Sequence, residues 1–178
     1  MPTKDGLMGL DSGIYKFFLL LHFITIIVGF GPTILAGVFG TKAKARGGRE
    51  GQAIAEATFE VVDEWATKFI YLIPVFGILL VLVSDDAWQF SDAWISFSFV
   101  LYFVALGVVH GVHRPNIQRM NALMAQLNTS GPAAATGGGP PPQVAELEER
   151  GKRAAMVSGF LNLLLVALLV LMIWKPGA

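Results

Sequence analysis

The chain has 178 residues, 54% of them hydrophobic and only 15% charged, with thirteen Lys and Arg balanced by thirteen Asp and Glu. It is too apolar for an ordinary soluble domain and too short for more than one compact membrane unit. The absence of cysteine excludes disulfides, thiolate metal sites, iron–sulfur clusters and a cysteine nucleophile, and the balanced charge points to no nucleic-acid partner.

A short polar lead over residues 1–13 precedes the first of four charge-free apolar runs, at 17–41, 69–84, 93–113 and 154–174. A helix rises about 1.5 Å per residue, so roughly 20 apolar residues cross a hydrocarbon core of about 30 Å. Three runs reach that length; the second is shorter, and Lys68 at its edge can snorkel. The first run lacks a cleavage site of small residues after it, so it reads as a retained span. Along it, His22, Thr25, Gly29, Thr33, Gly37 and Gly40 recur at three- and four-residue steps. Such spacing predicts one helical face on which small residues admit a neighbouring helix, with Pro32 bending the helix beside it.

Residues 52–68 predict a helical extension of the second span. Ile54, Val61 and Trp65 form one face; Glu56, Glu60, Asp63 and Glu64 form a solvated one, with Glu64 and Lys68 spaced as an i,i+4 pair. After the third span, Pro115 is placed to open a short interfacial helix carrying Ile117, Met120, Leu123, Met124 and Leu127. The Gly/Pro-rich stretch at 129–143 reads as a flexible linker. The predicted organisation is a three-helix membrane unit over 1–128, that linker, and a fourth transmembrane helix within 144–178. The fold class is all-α, a four-transmembrane-helix bundle with short interfacial helices.

Charge distribution predicts the orientation. Lys42, Lys44, Arg46 and Arg49 follow the first span, and Arg114, Arg119, Arg150, Lys152 and Arg153 separate the third from the fourth. The hairpin between spans two and three carries only Asp85, Asp86 and Asp92. The positive-inside bias therefore puts the basic loops in the cytoplasm and both termini outside, with Trp88, Trp94 and Trp174 at the outer interface and Trp65 at the inner one. The Asn128-Thr129-Ser130 triplet, on the cytoplasmic side, is not a glycosylation acceptor in that arrangement.

Candidate chemistry rests on three histidines, His22, His110 and His113. An intramembrane ionisable side chain is a functional candidate by default. His22 has three open readings: a buried histidine bonded to the next helix, a haem or quinone contact, and a metal ligand. Depth separates it from His110 by about half a bilayer, so the two do not suit one shared haem. Asn162 in the fourth span lies near the depth of His110 and is placed to bond it. Tyr71 and Tyr102 read as packing residues. No Asp or Glu falls within the four runs, and no GxSxG, Walker loop or HExxH occurs.

The first span, LLLHFITIIVGFGPTILAGVF, and the end of the third, VVHGVHRPNIQRM, together resemble an uncharacterised bacterial family of four-helix membrane proteins. That family is distantly similar to the copper resistance D membrane domain and to the haem-linked bacterial protoporphyrinogen oxidase. The resemblance covers about residues 14–128 and implies a bacterial cytoplasmic membrane location. In the oxidase a first-span histidine is accompanied by a basic residue on the third span. His22 matches the former; the third span here offers only His110.

The expected function is that of a small polytopic protein without a catalytic site, an accessory or structural subunit of a bacterial membrane complex. Its partners are the lipid bilayer and other membrane subunits or further copies of itself. One alternative is a haem- or quinone-linked redox protein using His22, for which haem b is the natural cofactor; another is a small oligomeric transporter. Gly29, Thr33, Gly37, Gly40 and Asn162 are the expected helix-packing residues.

Overall fold

The computed structural model describes residues 8–129 and 142–177, so the expected linker lies almost wholly outside the described residues. Four long helices account for most of what is described: α1 (Gly13–Arg46), α2 (Gly48–Leu82), α3 (Ala93–Thr129) and α4 (Pro142–Trp174). Each is long and apolar enough to cross a membrane. Among the described residues there is no strand.

Residue polarity runs opposite to that of a soluble core. Phe17, Leu20, Ile27, Phe97, Phe103 and Leu163 are each more than half exposed, whereas His22, Thr25, Ser84, Ser98 and Asn116 are buried. Lipid tails are as apolar as leucine, so large aliphatic side chains gain nothing by turning inward. Small and polar ones gain close packing and hydrogen bonds. In the α2 extension, Val61 and Trp65, expected on one apolar face, turn outward, while Asp63 on the polar face pairs with Arg114 of α3 at 2.7 Å. Lys68 does not reach Glu64; its ammonium lies over the Trp65 ring.

Both long middle helices contain one wide turn. Val109–His113 in α3 is a π-type turn, with the Arg114 N–H bonded to the Val109 carbonyl. Pro115 lies just beyond it. Proline would leave the Gly111 carbonyl without its donor and press its ring on that turn, and widening the turn accommodates both. The helix therefore continues through Pro115 to Thr129 instead of restarting as a separate interfacial helix. Leu123, fully buried, packs this extension against the N-terminal ends of α2 and α4. The second wide turn, Val61–Ala66 in α2, contains no proline.

Packing divides the bundle into two pairs: α1 lies along α2, and α3 along α4. At one end, Gly47 and Gly48 turn the chain from α1 into α2 with φ values of 63° and 51°. Here Gly51 lies so close to Ala43 that a Cβ built on it would stand 2.4 Å from the Ala43 carbonyl oxygen. At the opposite end, Trp88 donates to the Tyr15 hydroxyl at 3.2 Å and meets Trp94 edge to face. The Lys175 ammonium lies 3.9 Å from the Trp88 ring centroid, and the Gly9 N–H bonds the Val83 carbonyl. The segments flanking α1 and α4 thus meet the α2–α3 hairpin on the same side of the bundle.

The basic end of the α3–α4 pair is tied by ions. Arg119 and Arg150 donate to Glu146 at 3.1 and 2.8 Å, and Asn116 donates to the Arg150 carbonyl at 2.9 Å. Glu146 precedes the apolar run of α4, and the hydrogen bonds from Arg119 and then Arg150 hold its carboxyl below the usual glutamate range. A carboxyl depressed by folding stabilises at pH above its unfolded value, and that contribution is lost as pH falls through the folded value. Residues 142–150 should therefore show lower amide protection factors, relative to the intrinsic exchange rate at each pH, in acid than at neutrality. Glu146→Gln should abolish that pH dependence with little change at neutrality, because solvent screens exposed pairs. Protection factors unchanged by acid in the parent protein would contradict the assignment.

A candidate functional site at the helix interfaces

The polar residues inside the apolar spans gather around Pro74 of α2. Proline lacks the N–H that would bond the carbonyl four residues back, so the Ile70 carbonyl is left free. Tyr102 of α3, only 7% exposed, donates its hydroxyl to that carbonyl at 3.1 Å. On the α1 side, Gly29 lies against the same residue. A Cβ at position 29 would stand 3.0 Å from Ile70 Cγ1 and 3.1 Å from its backbone nitrogen. One turn of α2 is thus clasped by a glycine from one helix and a hydroxyl from another.

His22 sits a step along the same interface. Its Nδ1 donates to the Ile73 carbonyl at 3.1 Å, and the Thr25 hydroxyl donates to the carbonyl of His22 itself. Gly77 opens space for the ring: a Cβ there would lie 3.5 Å from its Cε1. With the proton on Nδ1, Nε2 is the free lone pair, the arrangement in which a histidine ligates or accepts.

His110 has a different neighbour. Its Nε2 pairs with the Tyr71 hydroxyl at 2.6 Å, and the two rings stack. Tyr71 and Ile73 are two residues apart, about 200° around a helix at 100° per residue. His22 and His110 therefore attach to opposite sides of α2. His113 Nδ1 is buried without a hydrogen-bond partner among the described residues. No group of three or more His, Cys, Asp or Glu comes together among those residues as a metal site.

The small-residue face is only partly used. His22, Thr25 and Gly29 are buried, and Thr33 is half-buried with its hydroxyl on the Phe30 carbonyl. Gly37 and Gly40 are exposed, with nothing near a Cβ built on either. Each four-residue step overshoots a full turn by about 40°, so Thr25, Gly29, Thr33 and Gly37 drift by about 120°. That rotation takes Gly37 off the interface. Near this level α1 and α2 part around an apolar groove of about 450 Å³ between Pro32, Leu35 and Phe39 and Ile54, Ala57 and Val61.

Asn162 also departs from expectation. It is exposed, and His110 bonds Tyr71 instead. Leu164, the buried residue of α4, lies about 160° around the helix from it, so the amide faces away from the bundle. The sequence reading missed Gly51, Gly77 and the pairing of Tyr102 with Pro74. A proline inside a span, with a hydroxyl-bearing residue on another helix, was the signal for that pairing.

A family model described as predicted integral membrane protein (DUF2269) matches residues 16–176. The chain belongs to the DUF2269 family. The DUF2269 match runs from the start of α1 to just beyond α4, so the expected integral membrane family is borne out as this one, and membership extends past residue 128 to the fourth helix. The supposed likeness to the copper resistance D domain and to protoporphyrinogen oxidase finds no support. No curated protein and no solved structure matches.

Proposed function

We propose that this DUF2269 protein is a non-catalytic helical subunit of a bacterial membrane assembly, seated with its basic loops in the cytoplasm and both termini outside. One observation carries the reading: Tyr102, His22 and Tyr71–His110 spend their hydrogen bonds between helices, as packing devices do. Four basic residues between 42 and 49 and the Arg119–Arg150 region support the orientation through the positive-inside bias. Gentle extraction of the tagged protein from its native membrane should recover other membrane subunits in fixed stoichiometry. Recovery without other subunits would overturn the reading.

The His22 geometry favours a second reading, a haem- or quinone-linked redox protein. The Nδ1 bond to Ile73 orients the ring and leaves Nε2 for a ligand. Haem b bound there would supply a one-electron couple. Protein from haem-sufficient cells should then show a Soret band that responds to dithionite and vanishes in His22→Ala. Colourless protein rejects the haem version.

A further inference from the structure

The outward face of α4 carries a feature that packing within one chain does not use. Ala155, Gly159, Asn162, Val166, Leu169 and Ile173 follow steps of four and three residues, and all six are exposed. At 100° per residue they fall within about 40° of one line along the helix. Steps of four and three define the seam through which two helices supercoil. Asn162 occupies its middle, eight residues or about 12 Å inside the start of the apolar run. The amide forms no hydrogen bond with another described residue.

An unpaired amide at that depth calls for a partner, because the hydrocarbon offers it none. We propose that the Ala155–Ile173 seam of α4 is a self-association surface, on which a second copy of this chain docks in parallel with Asn162 bonded to Asn162. Two copies inserted with the same topology place identical residues at identical depths. A two-fold axis along the membrane normal therefore sets amide against amide. Each amide has both a donor and an acceptor, so the pair satisfies itself. Gly159, one turn away, has open space around its Cα and permits close approach.

This proposal rests on the packing-subunit reading and names a partner for it.

The chain has no cysteine, so single cysteines can be introduced without background and oxidised in native membranes. Gly159→Cys, Val166→Cys and Ile173→Cys should cross-link to a dimer of this chain, whereas Met156→Cys and Phe160→Cys, exposed but off the seam, should not. In vesicles, energy transfer between labelled copies should weaken roughly tenfold in Asn162→Leu and persist in Asn162→Gln, given typical interhelical hydrogen-bond strengths in lipid. Thermal stability of the monomer should not move, since Asn162 bonds no other described residue. Cross-linking at every exposed position, or at none, would overturn the proposal, as would equal transfer in the parent and Asn162→Leu. Seam cysteines that capture a different membrane protein would also overturn self-association while leaving the subunit reading intact. Loss of co-purifying subunits with the seam cross-links retained would do the reverse.

Discussion

Gly51→Ala is expected to be among the most damaging single-methyl changes in the protein. The added Cβ would stand 2.4 Å from the Ala43 carbonyl oxygen, and that oxygen belongs to helix backbone and not to a side chain that can swing aside. Alanine gains about 1 kcal/mol of helix propensity over glycine. Overpacking against a fixed backbone costs about 1–3 kcal/mol and sometimes more. The clash wins, and the expected net loss is on the order of 2 kcal/mol. Glycines elsewhere on the helices provide the scale. Gly29→Ala meets Ile70 Cγ1 at 3.0 Å and its backbone nitrogen at 3.1 Å and should lose less, because a shift of a few tenths of an ångström relieves both. Gly37→Ala and Gly40→Ala meet nothing and should be neutral or slightly stabilising. Unfolding of the four variants in mixed micelles by a graded denaturing detergent would give this order, and a Gly51 variant as stable as Gly37→Ala would refute the close approach.

Tyr102→Phe is the second large effect. It removes the donor that meets the Ile70 carbonyl freed by Pro74. An unsatisfied buried carbonyl costs about 1–3 kcal/mol, although interhelical hydrogen bonds measured in lipid often fall toward the low end. The loss should disappear if α2 regains its own donor. Pro74→Ala restores an N–H in reach of Ile70, so Tyr102→Phe on that background should cost little. The coupling between the two sites is the quantity to measure, and a double-mutant cycle isolates it. Additive losses would mean that the hydroxyl and the proline act independently.

Sequence alone was sufficient for the architecture because lipid imposes a simple length rule. Charge-free runs of about 20 residues marked α1, α3 and α4, and the extension of α2 was readable from residues 52–68. Residues 114–129 were readable as helix but not as a continuation of α3. Pro115 looks like a helix start in one dimension, and here a π turn just before it lets the helix run through. The inward face was harder. Apolar periodicity marks the buried side of a soluble helix, yet Phe17, Ile27 and Leu163 face outward here because the solvent of the spans is itself apolar. Polar and small residues mark the interior in lipid, and His22, Thr25 and Gly29 lie there. Gly37 is exposed since a run of four-residue steps rotates off any fixed face. Gly51 and Gly77 were not legible: their importance comes from a carbonyl and an imidazole on another helix, and one sequence does not state which helices touch.

The division into an α1–α2 pair and an α3–α4 pair has a consequence for biogenesis. Within each pair contact is extensive, whereas across the division, apart from Leu123 against the first turns of α2, the named ties are polar: Tyr102 to Ile70, Tyr71 to His110, Arg114 to Asp63. A hairpin released into the bilayer as soon as its second helix is made can already pack. Nothing in its lipid-facing surface obliges it to wait for the other. The later joining of halves then depends on a few directional bonds that tolerate only one vertical offset. Those bonds act as a ruler between two units built separately, and an error of one helical turn would leave each of them unmade.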